Sequence, residues 1–206
     1  MSEWQHINSS TEARPIMRYR ADITAIDVIL HSLGGLADTM AMHIDLKSRC
    51  WISLINASLP ELAALRQQVP PVSDFYREEQ QQGGQLLVSV NTNAFQRQRD
   101  AAALVIADLK AALRGIRTEL DVWHAQEYGN ITLPGEDPQG HDDMSESWKY
   151  IERMIWNTYT GSYATLMNEG APAASAINSS TPPSSHITQM THMLHTLQTM
   201  QPKKIY

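Results

Sequence analysis

Apolar positions along this chain fall into separable runs, and the most regular lies between Ile106 and Trp123. There Ile106, Leu109, Leu113, Ile116, Leu120 and Trp123 follow one another at an unbroken 3-4-3-4-3 spacing. That spacing keeps one side of an α-helix apolar. The surrounding residues 93–128 contain no proline and a single glycine. The pattern therefore predicts one helix of about 35 residues, roughly 50 Å long at 1.5 Å per residue. Asn91-Thr92-Asn93 offers capping side chains ahead of it, and Gly129 and Pro134 end it. Val105 and Ala112 widen the stripe. A broad stripe suits the central helix of a bundle better than a free two-stranded coiled coil.

Other runs are less regular. Ile23, Ile26, Val28, Ile29 and Leu30 predict a helix over residues 22–32. Gly34-Gly35 is expected to end it, because each glycine costs about 1 kcal/mol relative to alanine in a helix interior. A second helix is expected over residues 36–56, with Met40, Ile44, Trp51, Leu54 and Ile55 turned inward. Ser58-Leu59-Pro60-Glu61 reads as a capping box with proline in the first turn. It predicts a short helix over residues 59–68 that stops before Pro70-Pro71. Ser73 is expected to cap another through Gln82. Leu86, Val88 and Val90 alternate with Gln85, Leu87 and Ser89, which suggests a strand, but no second segment offers an evident partner, so the run either pairs with another subunit or is the first part of a long apolar helix. Residues 145–168 predict a further helix, apolar nearly all round, with Gly161 as a candidate break.

The remaining segments lack periodicity. Residues 1–20 are polar, contain Pro15 and read as an N-terminal arm. The basic residues Arg14, Arg18 and Arg20 of that arm are candidate interaction residues. Residues 129–143, GNITLPGEDPQGHDD, form a loop rich in Gly, Pro and acid, of a length that is uncommon inside compact domains. Residues 171–185 have the composition of a flexible linker. Residues 186–206 are expected to be a C-terminal docking helix and tail, with Ile187, Met190, Met193, Leu194, Leu197 and Met200 on one side. The fold class is therefore mostly α. A helical bundle domain over residues 21–170 is built on the long central helix, flanked by the arm and by the linker-tethered last helix.

Composition narrows the function classes. With 206 residues and 42% hydrophobic content, one core is supported and part of the chain is left outside it. A net charge of -6 argues against general nucleic-acid affinity. The charge is uneven. Acid dominates from Glu127 to Glu146, and base dominates from Arg97 to Arg117. Cys50 is the only cysteine, so disulfide frameworks and CxxC sites are excluded. Its neighbours Trp51 and Ile52 suggest a small buried hydrophobe. The first residues, MSEWQHINSS, do not have the form of a secretory signal, and no stretch reaches the roughly 20 apolar residues of a membrane helix. The chain is expected to be cytoplasmic when made, and then incorporated into a virion if it is a phage component.

Candidate chemistry is sparse. His192 and His195 share a helical face near Met190 and Met193, but no carboxylate or cysteine completes a ligand set. His141-Asp142-Asp143 lacks the spacing of a calcium loop. Glu119, His124 and Glu127 end the long helix without the two helical Glu-x-x-His pairs that a diiron bundle needs. There is no nucleophile elbow, phosphate loop or zinc-protease motif. No cofactor is expected. The pattern points to a non-enzymatic structural or assembly subunit of a larger complex, such as a bacteriophage virion component or a secretion-apparatus subunit. Its expected partners are copies of itself or other protein subunits. One alternative is a helical binding module that engages a single protein partner. The other is a small helical enzyme with a site near the acidic loop, built from His124 and His141.

Overall fold

A computed structural model describes residues 4–6, 13–42, 49–80, 86–128 and 143–168. Four helices dominate them: α1 (Arg14–Met42), α2 (Arg49–Gln68), α3 (Thr92–Tyr128) and α4 (Asp143–Met167). Between α2 and α3 come a 3-10 turn at Val72–Asp74 and two strands, β2 (Tyr76–Gln80) and β3 (Leu86–Val90). Strand β1 (Gln5–His6) precedes α1. The mostly helical bundle with a long central helix is what the periodicity predicts. The acidic loop from residue 129 to residue 142, the linker 171–185 and the last helix 186–206 lie outside the described residues.

The helices alternate in direction. Asp27 of α1 meets Arg66 near the end of α2, and Tyr19, nearer the start of α1, donates to the Pro70 carbonyl just past α2, so these two run antiparallel. Gly35 of α1 packs on Ile155 of α4, and Arg18 donates to the Asn168 carbonyl just beyond α4 at 2.6 Å, so α4 also opposes α1. α3 starts beside α1, with Phe95 edge-on to Tyr19 at 5.5 Å. It ends against α4, where Trp123 meets Trp156 at 5.7 Å. An aromatic cluster closes each end of the bundle. Tyr19, Phe75 and Phe95 form the first, all pairs being edge-to-face. Such pairs add about 0.5–1.5 kcal/mol beyond area burial.

Several local expectations fail, each for a tertiary reason. α1 runs unbroken through Gly34-Gly35. Its neighbours Ser32, Leu33, Leu36 and Ala37 are all buried, and burying an apolar side chain contributes about 1.5–3 kcal/mol. That outweighs the helix penalty of the glycines. The predicted second helix over residues 36–56 is not one element, since α1 ends at Met42 and α2 begins at Arg49. The capping box does not form either. α2 passes straight through Pro60, and the Ser58 hydroxyl donates back to the Leu54 carbonyl at 2.8 Å. Ile55 and Leu62, one on each side of the proline, are both buried. The Asn56 carbonyl, deprived of a partner by the proline nitrogen, lies on an exposed residue that water can reach. Gly161 likewise interrupts nothing, being an exposed position within α4.

The helix expected from Ser73 is instead the 3-10 turn and strand β2. The predicted strand gains two antiparallel partners, in the order β1-β3-β2. Tyr76 and Gln5 both lie opposite Val90, and Arg77 and His6 both lie opposite Ser89. β2 was illegible because four of its five residues are polar and exposed, as suits the charged edge of a sheet. The N-terminal arm is also shorter than 1–20. α1 begins at Arg14 and buries Ile16 and Tyr19. Cys50 is exposed rather than buried, because it lies about 140° around α2 from the inward-facing Ile55 at 100° per residue.

Candidate interaction site

The long helix carries two stripes. The inner one is the predicted seam. Ile106, Leu109, Leu113, Ile116, Leu120 and Trp123 are each at most 8% exposed and belong to the one hydrophobic core. The seam is therefore consumed by the chain's own bundle. Asn91 sets the start of this helix, its side-chain oxygen accepting the Ala94 N-H at 2.9 Å.

Two of the three basic residues are also occupied internally. Arg18 pairs with Asp22 at 3.1 Å. Arg20 pairs with Glu78 at 2.9 Å and lies 4.4 Å from the centre of the Tyr76 ring, which ties α1 to β2. Arg14 is exposed. Of the three, Arg18 and Arg20 act as struts between elements. The C-terminal candidates, Ile187 to Met200, lie outside the described residues.

Between α3 and α4 the gap is filled by rings. His124 stacks on Trp156 at 4.6 Å and 12°. The Arg117 guanidinium sits 5.0–5.7 Å from the rings of Trp156, Tyr159 and Tyr163 and is paired with Asp121 at 2.7 Å. Tyr128 donates to Glu152. Burial lowers the His124 pKa, and Arg117 adds to that effect, while Asp121 and Glu152 oppose it. Burial also raises the Tyr128 and Tyr159 hydroxyls well above their ordinary value. These groups are spent on holding two helices together. Among the described residues, no three His, Cys, Asp or Glu side chains gather as a metal site.

Elsewhere, His6 Nδ1 lies 2.9 Å from the Ser89 hydroxyl across β1 and β3. A cavity of about 380 Å³ opens among Gln5, Pro15, Ile16, Thr92, Phe95, Gln96 and Arg99. No family model, curated protein or solved structure matches this chain. The functional argument therefore rests on the chain's own geometry.

The second stripe of α3 faces away from the core. Leu104, Asp108, Ala111, Gly115, Thr118 and Val122 repeat at 4-3-4-3-4 spacing, and all six are exposed. Leu104 is 71% and Val122 47% exposed. A side chain added at Gly115 would meet nothing within 4 Å, and Thr118 turns its hydroxyl onto the Arg114 carbonyl of its own helix at 3.2 Å. The result is two apolar knobs flanking a strip that is low at Ala111, Gly115 and Thr118 and charged at Asp108, in the same heptad rhythm as the buried seam. Hydrophobicity alone misses this stripe, since Ala, Gly, Thr and Asp register weakly. The sign that could have found it is the constant spacing of small residues on the long helix. No described helix is long and apolar enough to cross a membrane.

Proposed function

We propose that this protein is a non-enzymatic assembly subunit, a helical bundle that offers the outer face of α3 to a helix of a neighbouring subunit, as in a virion or a secretion apparatus. One observation carries this reading: the exposure of Leu104 and Val122 on a heptad-spaced stripe whose other members are mostly small. Small residues let a second helix approach closely, and apolar anchors at either end give it buried area. His124 and Arg117, the groups best suited to chemistry near the acidic loop, are engaged in ring packing, which favours a structural role for them.

The test is a double variant, Leu104→Glu with Val122→Glu, made in the cells that naturally produce the protein. Both sites are exposed, so helix content and unfolding midpoint should stay at wild-type values. In gradient fractionation of the lysate, wild type should run in a high-mass assembly and the variant at monomer mass. A wild-type chain at monomer mass throughout, or a variant that assembles equally well, refutes the proposal.

A further inference from the structure

We infer that the cavity of about 380 Å³ between the starts of α1 and α3 binds a small organic carboxylate, with the apolar part of the ligand on Pro15, Ile16 and Phe95 and its carboxylate on Arg99. This site is separate from the outer stripe of α3 and does not depend on the assembly reading.

The floor of the cavity is the first reason. Ile16 and Phe95 are both buried beneath it. Phe95 is fixed by edge-on contacts with Tyr19 at 5.5 Å and with Phe75 at 5.4 Å. Its N-H donates to the Asn91 carbonyl at 3.1 Å, and the Asn91 N-H donates to the Phe75 carbonyl at 2.9 Å. The first turn of α3 is thus anchored through both backbone and ring, which leaves Phe95 no freedom to turn into the space. A hollow of this volume with a rigid apolar floor falls within the range of about 300–1,000 Å³ usual for small-molecule pockets.

Charge at the rim is the second reason. Among the described residues that line the cavity, Arg99 is the only one with a charge. Both helices also begin here, with Pro15 in the first turn of α1 and Thr92 as the first residue of α3. Each helix start carries about half a positive charge, which adds to the guanidinium in favouring an anion.

The form of that cation is the third reason. A planar guanidinium fork matches the two oxygens of one carboxylate. A doubly charged phosphate monoester would leave one charge without a side-chain cation among the described lining residues. Arg99 is also available to a ligand. Its present partner is the adjacent Asp100 at 3.0 Å, and both side chains are largely exposed. Such a pair contributes little to stability and gives way readily.

NMR titration of the full chain with 3-phenylpropionate tests this, because that probe joins one ring to one carboxylate. The backbone amides of Ile16, Thr92, Phe95 and Gln96 should shift saturably, with a dissociation constant in the millimolar range expected of so small a ligand. The neutral analogue 3-phenylpropionamide should bind at least about tenfold more weakly. The acid should lose as much affinity for Arg99→Gln, whose circular dichroism should match wild type because the site is exposed. Gln96→Trp, at an exposed position lining the cavity, should fill the space and abolish the shifts. Absence of saturable shifts in wild type overturns the inference. So does equal binding of acid and amide, or binding of the acid that either variant leaves unchanged. Tighter binding of phenyl phosphate than of the acid would overturn the carboxylate assignment.

Discussion

The two adjacent glycines of α1 should respond oppositely to alanine, and the difference tests the packing of α1 on α4. In a helix interior, glycine to alanine contributes about 1 kcal/mol of helix propensity. A Cβ at Gly34 meets nothing within 4 Å, so Gly34→Ala should keep that gain and stabilise the protein by about 0.5–1 kcal/mol. At Gly35 the new Cβ would lie 3.3 Å from Ile155 Cδ1 and 3.7 Å from its Cγ2. Carbon atoms prefer about 3.5–4.0 Å. Ile155 is fully buried and has little room to retreat, so overpacking should cost about 1–3 kcal/mol and cancel or exceed the propensity gain. The two variants should therefore differ by at least about 1 kcal/mol, or about 2–4 °C in Tm for a chain of this size. Urea unfolding of the full chain, followed by circular dichroism, measures this directly. Ile155→Val removes the clashing methyl. Its own cost of about 0.5–1.5 kcal/mol should shrink in the Gly35→Ala background. Equal stabilisation by both alanines would show that α4 does not press on Gly35. Destabilisation by Gly34→Ala would show that the helix breaks there after all.

Trp123→Ala should be among the most damaging single changes, costing about 3–5 kcal/mol, because this ring is 1% exposed and packs edge-on against both Trp156 and Tyr128; a urea midpoint near wild type would contradict the ring cluster. His124 has a folded-state pKa below its ordinary 6.5, so the unfolded chain binds the extra proton first. Its contribution should be complete above pH 6.5 and fade as pH falls towards the folded pKa; His124→Phe should flatten that part of the stability-pH curve, and an unchanged slope would refute the assignment. Tyr19 is raised to about 12, mainly by burial, so its neutral form favours folding up to about pH 10 and that contribution is lost between pH 10 and 12. Tyr19→Phe should remove this alkaline loss and cost about 1 kcal/mol at neutral pH through the hydrogen bond to the Pro70 carbonyl, both read from unfolding midpoints. Removing the partly exposed Arg66–Asp27 pair by a double-mutant cycle should reveal at most about 1 kcal/mol of coupling, and a much larger value would mean that the pair is better shielded than its exposure implies.

The sequence legible through periodicity was that of α3. Its predicted span of 93–128 differs from Thr92–Tyr128 by one residue, and its six seam positions all lie in the core. A regular apolar stripe over many turns leaves the chain few other ways to bury it. The last bundle helix, Asp143–Met167 against a predicted 145–168, was legible too, because so many apolar side chains spread nearly all round it need a core to cover them. The outer stripe of α3 was not, because alanine, glycine and threonine matter there for their size rather than their hydrophobicity.

The amino-acid pattern by itself determined that this protein is mostly helical, where its longest helix lies and which side of it faces inward. Tertiary structure alone decided the rest. Local rules put breaks at Gly34-Gly35 and Ser58-Pro60, yet both segments stay helical because buried residues flank them. The charged segment Tyr76–Gln80 became a strand because Leu86–Val90 stood ready to pair with it. Propensities and caps are worth about 1 kcal/mol each, and the burial of several core side chains across a helix interface is worth more. Where the two disagree, packing prevails, and a single strand of sequence does not show which distant residues will do the packing.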